Sequence, residues 1–171
     1  EAYQDCGIVY LFGEEKYPID GSVVCDFLQL DEDGNFVFDE NGNLCTDKEK
    51  VYEFVDRLAD EYDTVGGIRQ FRATRGEVVT VEGGIYGNKI DRKVDKEYLL
   101  SAFLDKKREE HEPAYTQKAL KQGKDDIGDT YIEVDMTNQM LYYYVGGELQ
   151  IETPVVTGNT SRRRGTPVGT N

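Results

Sequence analysis

Residues 130–158, "TYIEVDMTNQMLYYYVGGELQIETPVVTG", constrain the fold most. Ile132, Val134 and Met136 alternate with Glu133 and Asp135, the period-two pattern of a half-buried strand. "MTNQ" reads as a turn, "MLYYYV" as a second strand, Gly146-Gly147 as a tight turn, and "LQIETPVVTG" as the return strand. Pro154 lacks a donor and belongs at an edge or a bulge. A three-stranded meander is too little sheet to stand alone, so it requires a partner layer. The sequence shows no second sheet to supply one.

The preceding residues read as an α+β domain, with helices segregated from antiparallel hairpins. "IVYLF" is a buried strand, and Asp20 or Ser22 caps a short helix that runs through Leu28. "NFVFDENGNL" reads as a hairpin turning at Asn41-Gly42. In "TDKEKVYEFVDRLADEYD", Thr46 and Glu49 have capping-box spacing. Val51, Phe54, Val55, Leu58 and Tyr62 then form one apolar stripe. Val79 and Val81 open a second hairpin, expected to turn at Gly83-Gly84 and return over Ile85 to Ile90. Asp95 is expected to cap the next helix, "KEYLLSAFLDKKREE", with Lys106, Lys107 and Arg108 at its C-terminal end. "HEPAYTQKALKQGKDDIGD" is polar and reads as a connector. The expected division is a domain over 1–112, a linker over 113–128, and a second, incomplete β domain over 129–171.

The charge narrows the partners. A formal net charge of −14 repels phosphate backbones, which argues against nucleic acid, and disfavours anionic membrane surfaces. No apolar run is long enough for a transmembrane helix. Three cysteines, Cys6, Cys25 and Cys45, leave at least one thiol free and fit no common metal spacing. Cys25 in "SVVCDFL" reads as a small core hydrophobe.

The C-terminal run resembles the opening of the L,D-transpeptidase catalytic domain. The resemblance rests on "DIGDTYIEVDMTNQMLYYYVGGELQIETPVVTGN" followed by "GTPVG" over Gly165 to Gly169. Upstream, "EKVYEFVDRLADEYDTVGGIRQFRATRGEVVTVEGGIYGNKIDRKVDKEYLL" resembles the peptidoglycan-binding domain that precedes this catalytic domain in Gram-positive bacteria. The resemblance implies an accessory α+β domain over 1–112, followed by the first antiparallel strands of a β-sandwich. It further implies a parent enzyme at the outer face of the bacterial membrane or in the cell wall. There a cysteine thiolate would form 3–3 peptidoglycan cross-links by acyl transfer. The implied partners are stem peptides and glycan, with no cofactor and no metal, and a membrane anchor upstream of residue 1 is allowed for. The family's catalytic residues, a His and a Cys in a Ser-His-Gly-Cys motif, follow the "TPxG" segment. In this sequence no His follows His111 and no Cys follows Cys45. The expectation is therefore an N-terminal part of the enzyme, inactive by itself, with no catalytic or metal residue among the 171. The alternative is a non-catalytic cell-wall-binding or surface interaction module.

Four local features invite a functional reading and have a plainer one. Cys25 or Cys45 with His111 could form a thiol–imidazole pair, but no motif surrounds them, and a core thiol, a loop thiol and a solvated His are the simpler assignment. "DEDGNFVFDENGN", Asp31 to Asn43, spaces oxygens as calcium loops do but lacks the glutamate at position twelve, so acidic turns are expected. "SRRRG", Ser161 to Gly165, could meet stem-peptide carboxylates and reads more simply as a solvated loop. Tyr142 to Tyr144 could stack on sugar, but alternation sends Tyr143 to the face opposite its neighbours, which favours a core role. Thr166, Pro167 and Gly169 carry the family motif and are expected to shape a loop.

Overall fold

The computed structural model describes residues 7–159, 161 and 164–171. Cys6, Arg162 and Arg163 lie outside the described residues. The chain separates into two compact units that interleave in sequence. The first contains the chain up to Tyr62 together with Lys89–Thr116; the second contains Asp63–Asn88 and Gln117–Asn171.

In the first unit, β1 (Ile8–Phe12) is central in a three-stranded sheet. It pairs antiparallel with β2 (Glu15–Pro18) and parallel with β6 (Glu109–His111). Its alternating burial puts Ile8, Tyr10 and Phe12 into the core. Helix α1 (Gly21–Asp26) is capped by Asp20, whose carboxylate accepts the Ser22 and Val23 amides at 2.9 and 3.3 Å. Cys25 is exposed on this helix, which corrects its expected place in the core; Val24 occupies the inward position instead.

Helix α2 (Lys48–Tyr62) buries the expected stripe of Val51, Phe54, Val55, Leu58 and Tyr62. Its start is held by Asp47 rather than Thr46: the Asp47 carboxylate accepts the Glu49 and Lys50 amides at 3.1 and 3.3 Å. Helix α3 (Arg92–Leu104) begins a turn earlier than expected because Asp91 caps it, accepting the Val94 amide at 3.2 Å. It also ends earlier. Asp105 is the C-cap and Lys106 turns left-handed at φ 55°, so Lys106 to Arg108 lie beyond the helix. Phe27 sits fully buried between the edges of Phe54 and Phe103, at 5.2 and 5.4 Å between centroids. Phe12 stacks on Tyr62 at 3.6 Å. Burial of each such side chain stabilises by about 1.5–3 kcal/mol.

Between α1 and α2 the expected hairpin is something tighter. Three short extended pieces, each with a residue eight positions after the last, close on one another. Val37 N–H donates to the Gln29 carbonyl at 3.0 Å, Cys45 N–H to Val37 at 2.9 Å, and Gln29 N–H to Cys45 at 2.9 Å. The cross-ladder partners are Leu28 with Thr46, Leu30 with Phe36, and Phe38 with Leu44. The cause is an internal repeat, "LDEDGNFV" then "FDENGNLC", in which Asp31 and Asp39 play the same part. Asp31 Oδ1 accepts the Asp33 and Asn35 amides at 3.0 and 2.8 Å, and Asp39 Oδ1 accepts those of Asn41 and Asn43, both at 2.8 Å. Gly34 and Gly42 supply the positive φ that each turn demands. The third Asp of the series, Asp47, caps α2 instead.

In the second unit, β3 (Ile68–Arg72) and β4 (Val78–Glu82) form a hairpin that turns at Gly76. This corrects the expected turn at Gly83-Gly84: the partner of "VVTVE" lies upstream, because Ala73 and Glu77 close the loop at 2.8 Å. Of the expected return strand, only the end is extended, as β5 (Lys89–Ile90), which belongs to the first unit and pairs with β7 (Tyr115–Gln117). The meander is as expected: β8 (Tyr131–Asp135), β9 (Met140–Val145) and β10 (Glu148–Pro154), in antiparallel order β10-β9-β8. One of its faces meets the β3–β4 hairpin. Phe71 packs edge-on to Tyr131 at 5.3 Å, and Thr74 Oγ1 donates to Glu133 at 2.6 Å. The other face leaves Ile132, Val134 and Ile151 exposed. The architecture is a mix of helices and antiparallel sheets, the α+β class read from the sequence.

Candidate functional site

Three arrangements have the chemistry of a site. The first lies in the second unit, where the C-terminal motif segment docks. Thr170 N–H donates to the Gly83 carbonyl at 3.1 Å, and Tyr86 N–H donates to the Thr170 carbonyl at 3.0 Å. Gly84 is left-handed at φ 94°, and a Cβ there would stand 2.0 Å from the Thr170 oxygen, so only glycine admits this approach. Thr166 Oγ1 accepts the Gly158 amide at 2.8 Å, tying the "TPVG" segment to the end of "VVTG". Thr166 and Gly169 thus shape a loop, as expected of them.

Beneath this segment lies a buried ion pair in the same unit. Asp126 is fully buried and Arg69 is 7% exposed. Arg69 Nε and Nη2 donate to the two Asp126 oxygens at 2.8 and 2.7 Å, a bidentate fork. Thr64 Oγ1 donates to Asp126 at 2.5 Å, and Arg69 Nη2 also reaches the Thr64 and Tyr86 carbonyls. Asp126 raises the pKa of the guanidinium, by hydrogen bonding first. Arg69 Nη1 and Thr170 Oγ1 are buried with no hydrogen-bond partner among the described residues. Around the pair, Asn88 donates to the Lys121 carbonyl and accepts the Ala119 amide, at 2.9 and 2.8 Å. The polar stretch expected to be a linker is therefore pinned by Asn88 and by Arg69. Sequence reasoning missed both anchors, since an Asp in "GKDDIGD" looks like any solvated carboxylate.

The second arrangement surrounds the single histidine. His111 Nε2 lies 2.9 Å from Oδ1 of buried Asp95, stacks on Tyr98 at 3.5 Å and meets the edge of Tyr10 at 5.1 Å. Among the described residues neither Cys25 nor Cys45 hydrogen-bonds to it, so no thiol–imidazole pair forms. Asp95, expected as a helix cap, is spent on His111 and the Ala114 amide.

The third is a shallow depression of about 320 Å³ in the first unit, lined by Asp39, Asn43, Leu44, Thr46, Phe103, Leu104 and Lys106. The adjoining repeat does not offer a calcium loop. The Asp31 and Asp39 oxygens that would turn to a cation accept loop N–H groups instead, and those bonds hold both carboxyls below the usual carboxylate range. Among the described residues no group of three or more His, Cys, Asp or Glu side chains is arranged to hold a metal ion. No helix among them is long and apolar enough to cross a membrane. Of the tyrosine triplet, Tyr142 is buried, and Tyr144 stacks on Tyr131 at 4.9 Å and hydrogen-bonds Thr74.

The crystal structure of a cysteine-to-serine mutant of the L,D-transpeptidase of Enterococcus faecium superposes on 98% of this chain, with a TM-score of 0.77 and 28% identity. The chain shares its fold with an L,D-transpeptidase. It spans 63% of the length of that structure. A second solved structure, the Ldtfm–avibactam carbamoyl enzyme, matches equally, with a TM-score of 0.77, 28% identity, and coverage of 98% of this chain and 62% of that one. Residues 33–111 match the family model described as "Putative peptidoglycan binding domain". No curated protein matches. The L,D-transpeptidase-like fold and the peptidoglycan-binding family match support a cell-wall-related role, as the resemblance in "VVTGN" and "GTPVG" implied.

Proposed function

We propose that this chain is the accessory domain and the opening strands of a cell-wall L,D-transpeptidase that makes 3–3 cross-links by cysteine acyl transfer. The observation that carries the reading is the fold likeness over 98% of the chain to a structure of which it spans 63%. In this reading the protein works outside the cell membrane of a Gram-positive bacterium, on stem peptides and glycan. The division is an accessory domain over 1–112, a connector over 113–128 and the first part of the catalytic domain over 129–171.

Acyl transfer needs a thiolate beside a base, and donors aimed at the oxyanion. Among the described residues these are not brought together. His111 is committed to Asp95, Cys25 is exposed on α1, and Cys45 is part of the closed backbone ring. In this reading the reacting cysteine and histidine are not among residues 1–171. What these residues contribute is a platform, with the "TPVG" segment held against Gly83 and Gly84. The test is acylation by a carbapenem, read by intact-mass spectrometry. The 171-residue chain is expected to show no adduct, and a longer chain carrying the downstream motif to show one. A stoichiometric adduct on Cys25 or Cys45 would overturn the assignment.

A further inference from the structure

We infer that the depression between the second acidic turn and the end of α3 binds the stem peptide of peptidoglycan, with the neighbouring aromatic row taking the attached sugar. This rests on the reading that the chain handles peptidoglycan, and adds where and how.

The two walls come from opposite ends of the family-matched segment 33–111: Asp39 to Thr46 from one, Phe103 to Lys106 from the other. Leu44, Phe103 and Leu104 form an apolar floor, and Leu104 is 57% exposed. A volume of about 320 Å³ is at the small end for a ligand site and suits a few small residues. The rim carries both signs of charge. Lys106 follows the helix end, where its left-handed backbone sets it on the wall. Asp39 stays ionised because Asn43, by side chain and backbone, holds its carboxyl below the usual range. Three donors crowd its Oδ1, the Asn41 and Asn43 backbone amides and, at 3.4 Å, the Asn43 side chain, whereas among the described residues Oδ2 accepts only the Asn43 side-chain amide, at 3.0 Å, and has acceptor capacity to spare.

An apolar floor between a cation and an anion complements a short peptide of small apolar residues that carries a free carboxylate and a side-chain amine. That is the chemistry of a stem peptide: alanine methyls for the floor, a terminal carboxylate for Lys106, a diamino-acid ammonium for Asp39. Leu44 is the cross-ladder partner of Phe38, so the two side chains share a face. From there the apolar row continues through Phe38, Phe36 and Leu30, which are 59%, 45% and 44% exposed. Packing does not account for large apolar side chains in a line at that exposure. The apolar face of a pyranose would lie on these rings.

The test uses the 171-residue chain, labelled with ¹⁵N and titrated with a disaccharide–tetrapeptide released from peptidoglycan by muramidase. A second probe is the same molecule with its terminal carboxylate amidated. Retention on intact sacculi is measured in parallel. The variants are Lys106→Asn, which removes the charge and tolerates positive φ, and Phe38→Ser, at an exposed site. Shifts are expected at residues 36–46 and 103–106, and each variant should weaken binding about tenfold. Amidation should weaken the wild type by a similar factor and leave Lys106→Asn unaffected. If sacculi retain the protein while shifts map elsewhere, or while both variants bind as the wild type does, the site is wrong and the peptidoglycan reading stands. If the wild type is neither retained nor shifted, both fall.

Discussion

Replacing Asp126 by Ala should destabilise the second unit more than any surface change. The wild-type carboxylate is fully buried and takes three hydrogen bonds, two from Arg69 and one from Thr64. The substitution leaves a guanidinium that is 7% exposed with only carbonyl partners at Thr64 and Tyr86. Breaking one side of a buried pair costs about 3–5 kcal/mol, because the stranded charge remains desolvated. The orphaned Thr64 hydroxyl adds to that, partly offset by local water entry. The expected loss is about 4 kcal/mol, which at a urea slope of about 2 kcal/mol/M moves the midpoint down by about 2 M. The double substitution Arg69→Met with Asp126→Leu removes both charges and should recover most of the loss, since apolar replacements of buried pairs are often neutral. Equilibrium urea unfolding followed by near-ultraviolet tyrosine signal reads both. A midpoint shift under about 0.5 M for Asp126→Ala, or a double variant as weak as the single one, would refute the account of the pair as a buried, mutually dependent charge couple.

Gly84→Ala should expel the Thr170 segment, because its Cβ would overlap the Thr170 oxygen at 2.0 Å. The two hydrogen bonds lost there contribute about 1 kcal/mol each, and hydrogen exchange should show the Tyr86 amide deprotected while β3 and β4 stay protected. Acid should loosen the eight-residue repeat late. The Asp31 and Asp39 carboxyls have lowered folded pKa values, so their contribution is complete above the ordinary aspartate range and is lost as pH falls through the lower folded values. The Asn35 and Asn43 amide shifts should therefore titrate with midpoints below that of an unstructured aspartate; a midpoint at or above it would sink the idea. Residues 33–111 expressed alone should show no cooperative unfolding transition, read by far-ultraviolet circular dichroism against urea, whereas the 171-residue chain should show one.

The elements with a strong period were legible. The α2 stripe and the three-stranded meander appear where helical spacing and alternation put them. In α2 the apolar stripe is buried as expected, but in β8 the covered face carries Tyr131, Glu133 and Asp135, and Ile132, Val134 and Met136 face outward. Turn chemistry misled where two solutions competed. Gly83-Gly84 has the composition of a hairpin turn, but Thr74-Arg75-Gly76 closes the hairpin first and leaves the glycine pair for Thr170. Two caps sit away from where the spacing predicts them: Asp47 takes the place of Thr46, one residue on, and Asp91, a turn earlier, frees Asp95 for His111. The closed ring at Gln29, Val37 and Cys45 did leave a signal, since Asp31, Asp39 and Asp47 recur every eight residues, a period outside both helix and strand templates. The partners of Arg69 left none. Its 57-residue separation from Asp126 is a product of tertiary structure, and neither residue stands out among 54 charged ones, the sum of 20 basic and 34 acidic.

The boundary of the family match is not a boundary of folding. Segment 33–111 excludes Ile8, Tyr10, Phe12, Val24 and Phe27, all essentially buried in the core of the first unit. It includes β6 but not β1, the strand to which β6 is hydrogen-bonded. It includes Arg69 and not Asp126, so excision would strand a buried cation as surely as the Asp126→Ala substitution does. Both compact units therefore combine residues inside the match with residues outside it. The hairpin Ile68–Glu82 is read as part of a binding module by sequence, yet its Phe71 and Thr74 pack on the meander of the transpeptidase-like strands. A hairpin inside the matched segment that packs on the transpeptidase-like strands in this way cannot be exchanged like a bead on a linker. Changes to residues 63–88 are felt first by the platform, through Arg69, Thr74 and Gly84.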